Sequence, residues 1–389
     1  TVVTQINLQR LSSASMVEIC HHQSGGKALP DELLNQIASK TEGVPLFVEE
    51  LTKNILESDI LVEKEHAYEI AGPVSSLAIP STLQDSLLSR LDRLDEVKEI
   101  VQFGSVLGRE FSLDILHAIL HERHRDMEKS MHKLIDSEIL HQTGTGNKMI
   151  YQFKHALIQD AAYDSLLKSN RQKMHQKVAD VLASQFKDTA DSRPELLAHH
   201  YTEGGHPLQA IPLWLKAGQM ASQKNATAEA IAHLEKGMGL LHHIKSDKDR
   251  NNLEFEFLVV LGTSYINSLG YPHPKVKETF NRAKNLAQNM DVNLKLAVVL
   301  MGLLAYYFNT EDYNTAEDLM KYMEELGKDP VNGYFFKLPV LHVSGTSFVV
   351  QGDLKLGEEN LRKAINLYDP TQKDFDKFLD FNFKVNAEA

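Results

Sequence analysis

The second half of the sequence repeats one helical pattern four times, and this repeat restricts the possible folds more than any other feature. Each copy has a small or apolar residue, a large apolar residue at +4, an apolar or small residue at +7 and a leucine at +10. The copies begin at Ala230, Val276, Ala316 and Gly357, which are 40 to 46 residues apart. Such spacing places apolar side chains on one helix face, and each period is long enough for a helix pair. A single pair cannot bury its apolar face, so the pairs must stack into a solenoid.

Two of these helices are preceded by a glycine at a fixed distance. Gly218 lies twelve positions before Ala230, and Gly345 lies twelve positions before Gly357. A small residue at this offset lets the paired helices of a tetratricopeptide repeat approach closely, and Asp369-Pro370 supplies a terminal proline. The pattern predicts a tetratricopeptide-like α-solenoid at residues 191–370, followed by a truncated tail at 371–389.

The middle of the chain combines helical patterns with one hairpin. Ser81 and Gln84 form a capping box that opens a helix after a linker at 71–80. Strand patterns at 139–142 and 149–153 flank a glycine-containing turn. Four helical patterns precede the hairpin, at 83–94, 97–107, 113–120 and 127–137. Helices followed by a hairpin predict a winged helix, which we place with its hinge helices at residues 71–190.

The first 70 residues contain one strand pattern and three helical patterns. The strand pattern at 2–11 is followed by Ser12-Ser13, an N-cap signal, and by helices at 16–21 and 31–40. Pro30 is expected at the first position of the second helix, Gly43 closes it, and Pro45 starts a third helix. A lone strand cannot pair with itself, and the chain begins without Met. We therefore expect a piece of a longer protein, with the missing strands upstream.

Composition excludes several classes of function. A formal net charge of −12 argues against a surface that coats nucleic acid, and the candidate recognition helix at 127–138 has nearly balanced charge. The longest apolar run, at 298–308, is shorter than the roughly 20 residues that span a bilayer, so we expect no membrane segment. The single cysteine, Cys20, fits a reducing compartment, and we expect the protein to be cytoplasmic.

One histidine stands at a position that suits an anion. The stretch from Phe153 to Tyr163 predicts a helix with His155 in its first turn, and an apolar face is expected from Ala156, Leu157, Ala161, Leu166 and Leu167. Free N–H groups and the positive end of the helix dipole lie at a helix N-terminus. His155 is therefore a candidate contact for a phosphate.

Other candidate sites lack essential residues. Gly25-Gly26-Lys27-Ala28 lacks the earlier glycine and the Ser or Thr of a Walker A loop. His117 and His121 share a helix face but have no third ligand nearby, so we predict no metal site. The carboxylate runs Glu49-Glu50 and Glu358-Glu359 are interpreted as solvated helix faces, and no catalytic constellation is visible.

Five blocks, in this order, resemble the ATPase region of bacterial class III adenylate/guanylate cyclase fusion proteins, and more distantly that of animal soluble adenylyl cyclases. The blocks are Thr41-Glu42-Gly43-Val44-Pro45-Leu46-Phe47-Val48-Glu49-Glu50-Leu51, Ile79-Pro80-Ser81-Thr82-Leu83-Gln84-Asp85-Ser86-Leu87, Gly108-Arg109-Glu110-Phe111, Phe153 to Tyr163, and Pro194-Glu195-Leu196-Leu197-Ala198-His199-His200-Tyr201. In that family a cyclase domain precedes an AAA-type ATPase, a winged helix and tetratricopeptide repeats.

This resemblance implies a signal-transduction ATPase of the STAND type, with residues 1–70 as the last strand and helical lid of its ATPase domain. Gly43-Val44-Pro45 is similar to the G-x-P motif, whose proline packs beside the nucleotide. His155, with Gln159 and Asp160, is similar to the winged-helix segment whose histidine contacts the β-phosphate of ADP. The resemblance thus implies Gly43, Pro45 and His155 as contacts for ATP or ADP in the full-length parent. The phosphate loop, the Walker B strand and the cyclase residues are absent from this sequence, so the chain alone should neither hydrolyse nor cyclise ATP.

Three functions stay open at this stage. The first is a nucleotide-dependent switch that partners an upstream ATPase core and cyclase domain and binds a protein or a small molecule on the solenoid. The second is a tetratricopeptide scaffold that binds proteins without a nucleotide. The third is a transcription activator of the maltose-regulon type, which would need a DNA-binding domain beyond Ala389.

Overall fold

The computed structural model describes residues 9–58, 61–71, 82–94, 97–120, 126–144, 149–288, 294–369 and 371. Most of these residues are helical, and they form two compact units, residues 1–186 and 187–389. The prediction of a mainly α fold with a solenoid is confirmed. The finer domain boundaries at 70 and 190 stay predictions. Among the described helices, none is long and apolar enough to cross a bilayer.

Three helices open the first unit: α1 (Ser13–Gln23), α2 (Asp31–Thr41) and α3 (Pro45–Leu56). The Ser12 hydroxyl accepts a hydrogen bond from the Ser15 N–H, so the predicted N-cap is confirmed. The prediction that Pro30 is the first residue of α2 is wrong, because Pro30 is its N-cap. Pro45 is the first residue of α3, as the sequence predicts. A hairpin of β1 (Leu61–Glu63) and β2 (Tyr68–Ile70), which the sequence did not predict, packs beside these helices. Most of the strand predicted at 2–11 lies outside the described residues, which begin at position 9. Residues 9–12 are not in a strand.

The next part of the first unit alternates helices with short strands. Its elements are α4 (Leu83–Arg93), α5 (Lys98–Leu107), β3 (Glu110–Ser112), α6 (Leu113–Leu120), α7 (Met127–Asp136), β4 (Leu140–Thr143) and β5 (Ile150–Phe153). The predicted hairpin is confirmed, because β4 and β5 pair antiparallel, with Leu140 opposite Phe153. β5 also pairs with β3, which gives the strand order β3–β5–β4. The N-cap of α4 is Thr82, which accepts from the Asp85 N–H, so the capping residue predicted at Ser81 is wrong by one position.

Helices α8 (Ala156–Asp164) and α9 (Lys168–Gln185) complete the first unit. The apolar face predicted after His155 is wrong. α8 ends at Asp164 and buries Ile158, Ala161 and Ala162, whereas Leu157 is 44% exposed and Leu167 is 71% exposed. Because the chain leaves the helix before Leu166, the apolar residues at its end do not continue the α8 face.

Ten α-helices are described in the second unit, and a short 3-10 helix, Leu241–His243, follows the fourth of them. They are α10 (Lys187–Ser192), α11 (Pro194–Glu203), α12 (Pro207–Gln223), α13 (Thr227–Gly239), α14 (Asp247–Leu269), α15 (Pro274–Ala287), α16 (Leu294–Asn309), α17 (Tyr313–Leu326), α18 (Tyr334–Gln351) and α19 (Leu354–Leu367). From α12 onward the helices form four pairs, α12–α13, α14–α15, α16–α17 and α18–α19. The first helix of each pair also packs on the first helix of the next pair. This arrangement stacks helix pairs, as the repeat pattern requires.

The repeat positions have the burial that their pattern predicts. The first and third positions of all four copies are buried; they are Ala230, Gly237, Val276, Ala283, Ala316, Met323, Gly357 and Ala364. A Cβ atom on Gly218 would come 2.5 Å from the Leu234 side chain, and one on Gly345 would come 2.8 Å from Leu361. These two glycines therefore allow the close approach of α12 to α13 and of α18 to α19.

Candidate functional site

Helix α3 meets the connection between β5 and α8 at a cluster of charged side chains around His155. We name this the His155 cluster, and its members are Glu49, Glu50, Lys53, Arg90, Glu138, Lys154 and His155. Three of these residues come from α3, one from α4, one from the connection before β4 and two from the connection after β5. The cluster therefore joins four segments that lie up to about a hundred positions apart in the sequence.

Backbone hydrogen bonds position His155. The buried Phe153 ends β5, and the N–H of Lys154 donates to the carbonyl of Ile139 over 3.0 Å. His155 has extended dihedrals, φ −131° and ψ 141°, and its carbonyl accepts the first hydrogen bond of α8, from Ile158. It is thus the N-cap of α8, although its imidazole makes no capping hydrogen bond. The side chain is therefore available to the neighbouring helix α3.

A fully buried ion pair lies at the centre of the cluster. The Glu50 side chain is 0% exposed, and its Oε2 accepts a hydrogen bond from Arg90. Arg90 also donates to the carbonyl of Ser137 over 2.6 Å. Among the described residues, none gives a hydrogen bond to the second oxygen, Glu50 Oε1, and the Lys53 ammonium is 4.0 Å away from it. A buried carboxylate with one unsatisfied oxygen is an unfavourable arrangement unless something compensates it.

Two lysines connect the outer carboxylates. Lys53 Nζ donates to Glu49 Oε1 over 2.7 Å and also to Glu138 Oε2. Lys154 Nζ lies 2.8 Å from the same Glu138 oxygen and 3.6 Å from Glu49 Oε1. Hydrogen bonds from Lys154 and Lys53 lower the pKa of Glu138 to about 2. Burial raises the pKa of Glu49, but the bond and charge of Lys53 outweigh it, so the net shift is downward.

The His155 imidazole is held in an environment that disfavours its charge. Burial lowers its pKa, and the nearby Glu49 and Glu50 only partly oppose this effect. In the described part of the chain no group forms a hydrogen bond with its buried Nε2 atom. With neutral His155, the three carboxylates and the three cations of the cluster balance.

The donor atoms of Glu49, Glu50 and His155 lie within 4.8 Å of one another, which is the kind of set that could hold a metal ion. Two carboxylate oxygens and an imidazole nitrogen suit a divalent transition metal. The Lys53 and Lys154 ammonium groups, however, already compensate Glu49, and a dication would lie beside both. The electrostatics of the cluster therefore favour ion pairs over a metal ion.

The residues predicted to contact a nucleotide lie at the starts of two helices, Gly43 and Pro45 at α3 and His155 at α8. Gly43 has φ +78°, and a Cβ atom there would come 2.6 Å from the carbonyl oxygen of Leu11, so the backbone itself requires glycine. Pro45 begins α3, one turn before Glu49, on the helix that carries the cluster. A ring nitrogen of His155 lies within 4.8 Å of carboxylate oxygens of Glu49 and Glu50 on that helix. Helix α3 therefore links Pro45 to His155, and their nucleotide-binding roles stay predictions.

The interpretation of Glu49-Glu50 as a solvated face is wrong, whereas Glu358 and Glu359 are exposed as predicted. Glu50 is buried because Arg90, forty positions later, compensates its charge. Lys53, at i+4 from Glu49 and i+3 from Glu50, was a local signal of ion pairing. The sequence held no comparable signal for Arg90 or Glu138.

No family model matches the chain. An uncharacterized protein of Rhizobium meliloti (strain 1021) is 25% identical over 262 residues, which are 67% of this chain and 25% of that protein. The chain thus spans about a quarter of that relative's length. A STAND protein with a tetratricopeptide repeat sensor from Pyrococcus horikoshii aligns with 99% of this chain and 63% of that chain, at 10% identity and a TM-score of 0.36. Neither similarity is high enough to assign this chain to a family.

Proposed function

We propose that this chain is the regulatory part of a STAND-type nucleotide switch that is linked, in a longer protein, to a class III adenylate or guanylate cyclase. The observation that carries the proposal is the contact between His155 and helix α3. The segment that is similar to the G-x-P motif ends at Pro45, where α3 begins, and α3 carries Glu49 and Glu50 to within 4.8 Å of His155, which belongs to the second such segment. The Nε2 atom of His155 lacks a hydrogen-bond partner among the described residues, so it can accept or donate one more bond.

The charges of the cluster suggest how a nucleotide would act on it. A phosphate beside His155 would face Glu49 and Glu50, which repel it, and Lys53 and Lys154, which attract it. Binding would therefore favour an arrangement in which a lysine turns from Glu49 toward the phosphate. A ligand that prefers one of two arrangements shifts the equilibrium by its difference in affinity for them. ADP bound between an upstream ATPase core, Pro45 and His155 would stabilise the closed state in this way.

We further propose that residues 98–153 form a winged helix that carries His155. Support comes from the order helix, strand, helix, helix and hairpin, and from the antiparallel strand order β3–β5–β4. In this arrangement α8 begins directly after the last strand of the sheet. Movement of the winged helix relative to α3 would then break the contacts that Glu138 and Lys154 make with α3.

The stacked helix pairs of the second unit are proposed to be the sensor. A solenoid of helix pairs presents an extended surface to a protein or a small molecule. A ligand there would favour the open state of the switch, and the coupling between ligand and ADP would be reciprocal.

The affinity of ADP for the full-length protein tests this function. We expect His155→Ala to weaken the binding of a fluorescent ADP analogue at least tenfold, because the imidazole contributes a hydrogen bond to a charged phosphate. His132→Ala is the matched control, because His132 is an exposed histidine of the same unit, and it should leave affinity unchanged. Equal affinities of wild type and His155→Ala would contradict the switch.

A scaffold that binds proteins without nucleotide is the second candidate. The observation that favours it is that Glu49, Glu50 and Glu138 each already lie beside a cation of the same chain, so no ligand is needed to compensate them. In that case neither ADP nor ATP would bind the full-length protein measurably. DNA binding through α7 has less support, because α7 carries Glu128 and Asp136 beside Lys129 and Lys133.

A further inference from the structure

A second surface of the first unit is a groove between the start of α4 and the length of α8. Its volume is about 510 Å³, which lies within the range of sites that bind small ligands or peptide side chains. Leu83 and Leu87 of α4 form one wall, and Leu157 and Ala161 of α8 form the other. Each pair is separated by one helical turn, so the groove follows both helices and has an apolar floor.

Leu157 is the unusual member of this lining. Ala161 and Leu87 are buried, but 44% of Leu157 is exposed. This leucine belongs to the helix that His155 caps, and it lies beside the buried Ile158. A partly exposed leucine over an apolar groove marks a surface on which another apolar side chain can be buried.

The rim of the groove is acidic. Asp160 lies three positions after Leu157 and Asp164 three positions after Ala161, so both carboxylates are on the groove side of α8, and the described lining contains neither Lys nor Arg. Asp164 is 3.2 Å from Arg171, whereas no described residue forms an ion pair with the exposed Asp160. The N-terminus of α4 would attract anions, but the Thr82 hydroxyl caps it and Asp85 places a carboxylate in its first turn. Arg171, which lies 4.6 Å from the centre of the Tyr163 ring, compensates Asp164, whereas Asp160 is left to complement a cation from outside the chain.

We propose that the groove binds a cationic amphipathic helix of a partner protein. An apolar side chain of the partner would be buried against Leu157 and Leu83, and a Lys or Arg one turn away would pair with Asp160. This is the arrangement in which an amphipathic helix lays its apolar stripe into a groove between two helices. The proposal is independent of nucleotide binding at His155, because none of the groove residues belongs to the His155 cluster.

Fluorescence anisotropy with a defined probe tests the proposal on the full chain. The probe is a fluorescein-labelled peptide of about 18 residues in which leucines form one helix face and lysines the other, and its counterpart has glutamates in place of lysines. We expect the lysine peptide to bind and Leu157→Asn to weaken binding about fivefold to tenfold, because part of the apolar contact is lost. Asp160→Asn should weaken it about threefold at low salt and reduce its salt dependence.

Leu167→Asn is the matched control, because Leu167 is 71% exposed and does not line the groove. The affinity of Leu167→Asn for the lysine peptide should equal that of wild type. Because every variant of an acidic chain attracts a cationic peptide without specificity, this control shows that the loss in Leu157→Asn belongs to the groove. Circular dichroism should show the same helix content in all three variants. Equal affinities of Leu157→Asn and Leu167→Asn, or equally tight binding of the glutamate peptide, would overturn the proposal.

Discussion

The two units of this protein depend on different kinds of contact. In the first unit, the segments around His155 are joined by ion pairs between residues as far apart in sequence as Lys53 and Glu138. In the second unit, successive helices are joined by glycines that lie against large side chains. Phe280 illustrates this, because both Gly262 of α14 and Gly302 of α16 face its ring. The contrast is between charge compensation over long sequence distances and steric fit between near neighbours.

This difference has consequences for regulation. Ion pairs can exchange partners when a charged ligand or a proton binds. The charged side chains of the His155 cluster can therefore pair in more than one way. A glycine packed on a ring has no such alternative, because any movement opens a void or creates a clash. We therefore expect the first unit to respond to charge and the second unit to respond to changes in side-chain volume.

The largest effect is expected from Arg90→Met. This change removes the cation that is hydrogen-bonded to the fully buried Glu50 carboxylate and leaves only Lys53, 4.0 Å from its other oxygen. It should lower the free energy of unfolding of the first unit by about 3–5 kcal/mol. Hydrogen exchange of peptides from α3 and α4 measures the effect. The double variant Glu50→Met/Arg90→Met removes both charges and should recover most of the loss. A single variant that costs less than about 1 kcal/mol would show that charge compensation does not hold this junction.

Acid should destabilise the second unit through His342, a buried titratable group among its packed helices. Burial lowers the pKa of His342 to about 4 from an ordinary value of 6.5. The unfolded chain therefore binds a proton first, and the stabilisation present above pH 6.5 is lost as pH falls toward 4. The loss is about 3 kcal/mol, since each pKa unit corresponds to about 1.4 kcal/mol.

Fluorescence of Trp214, the single tryptophan of the chain, reports urea unfolding of the second unit at pH 7 and pH 4.5. His342→Gln should show a smaller loss than wild type between these pH values. An identical loss in both proteins would assign the acid sensitivity to other groups.

Two glycines of α13 give a matched test of steric fit. A Cβ atom on Gly237 would come 2.5 Å from the ring of the buried Phe257, whereas a Cβ atom on Gly239 would meet nothing within 4 Å. We expect Gly237→Ala to destabilise the second unit by about 1–3 kcal/mol through overpacking. Gly239→Ala should be neutral or stabilising by less than about 1 kcal/mol, because alanine favours the helix. Urea unfolding followed by Trp214 fluorescence distinguishes them, and equal effects would refute the steric account.

The smallest effect is expected from Glu138→Gln. The pKa of Glu138 is about 2 because Lys154 and Lys53 donate to it, so its stabilisation is present above pH 4.5 and is lost as pH falls through 2. Its side chain is 47% exposed, so solvent screening limits the contribution to about 1 kcal/mol. Hydrogen exchange of α3 should show a difference from wild type at pH 7 that shrinks between pH 4.5 and pH 2. A difference independent of pH would mean that the carboxylate acts through packing and not through its charge.

Local signals predicted much of the secondary structure. The Ser12 cap, Pro45 at the start of α3, the β4–β5 hairpin and the repeat helices all depend on residues within one turn or one period of each other. Strand β3 was missed because it has three residues and gains its hydrogen bonds from β5, about forty positions later. The predicted face of α8 was wrong because periodicity continued past Asp164, where the helix ends.

The candidate site was predicted only in part. His155 was selected from its place at a helix start, and the structure gives it the N-cap position of α8. Glu50 was assigned to solvent, since two adjacent glutamates on a helix give no indication of burial without a visible partner. Its partner Arg90 lies on another helix, and no spacing rule connects the two residues.

The sequence by itself determined most helices, the Ser12 cap, the β4–β5 hairpin and the stacking of repeated pairs, because these features depend on interactions among residues close along the chain. Tertiary structure alone decided that Glu50 is buried, that Lys53 and Lys154 share Glu138, and that Leu157 stays exposed in a groove. The physical reason is that burial of a charge or exposure of a leucine depends on which distant segment packs beside it. Such packing is set by the fold of the whole unit and not by local periodicity.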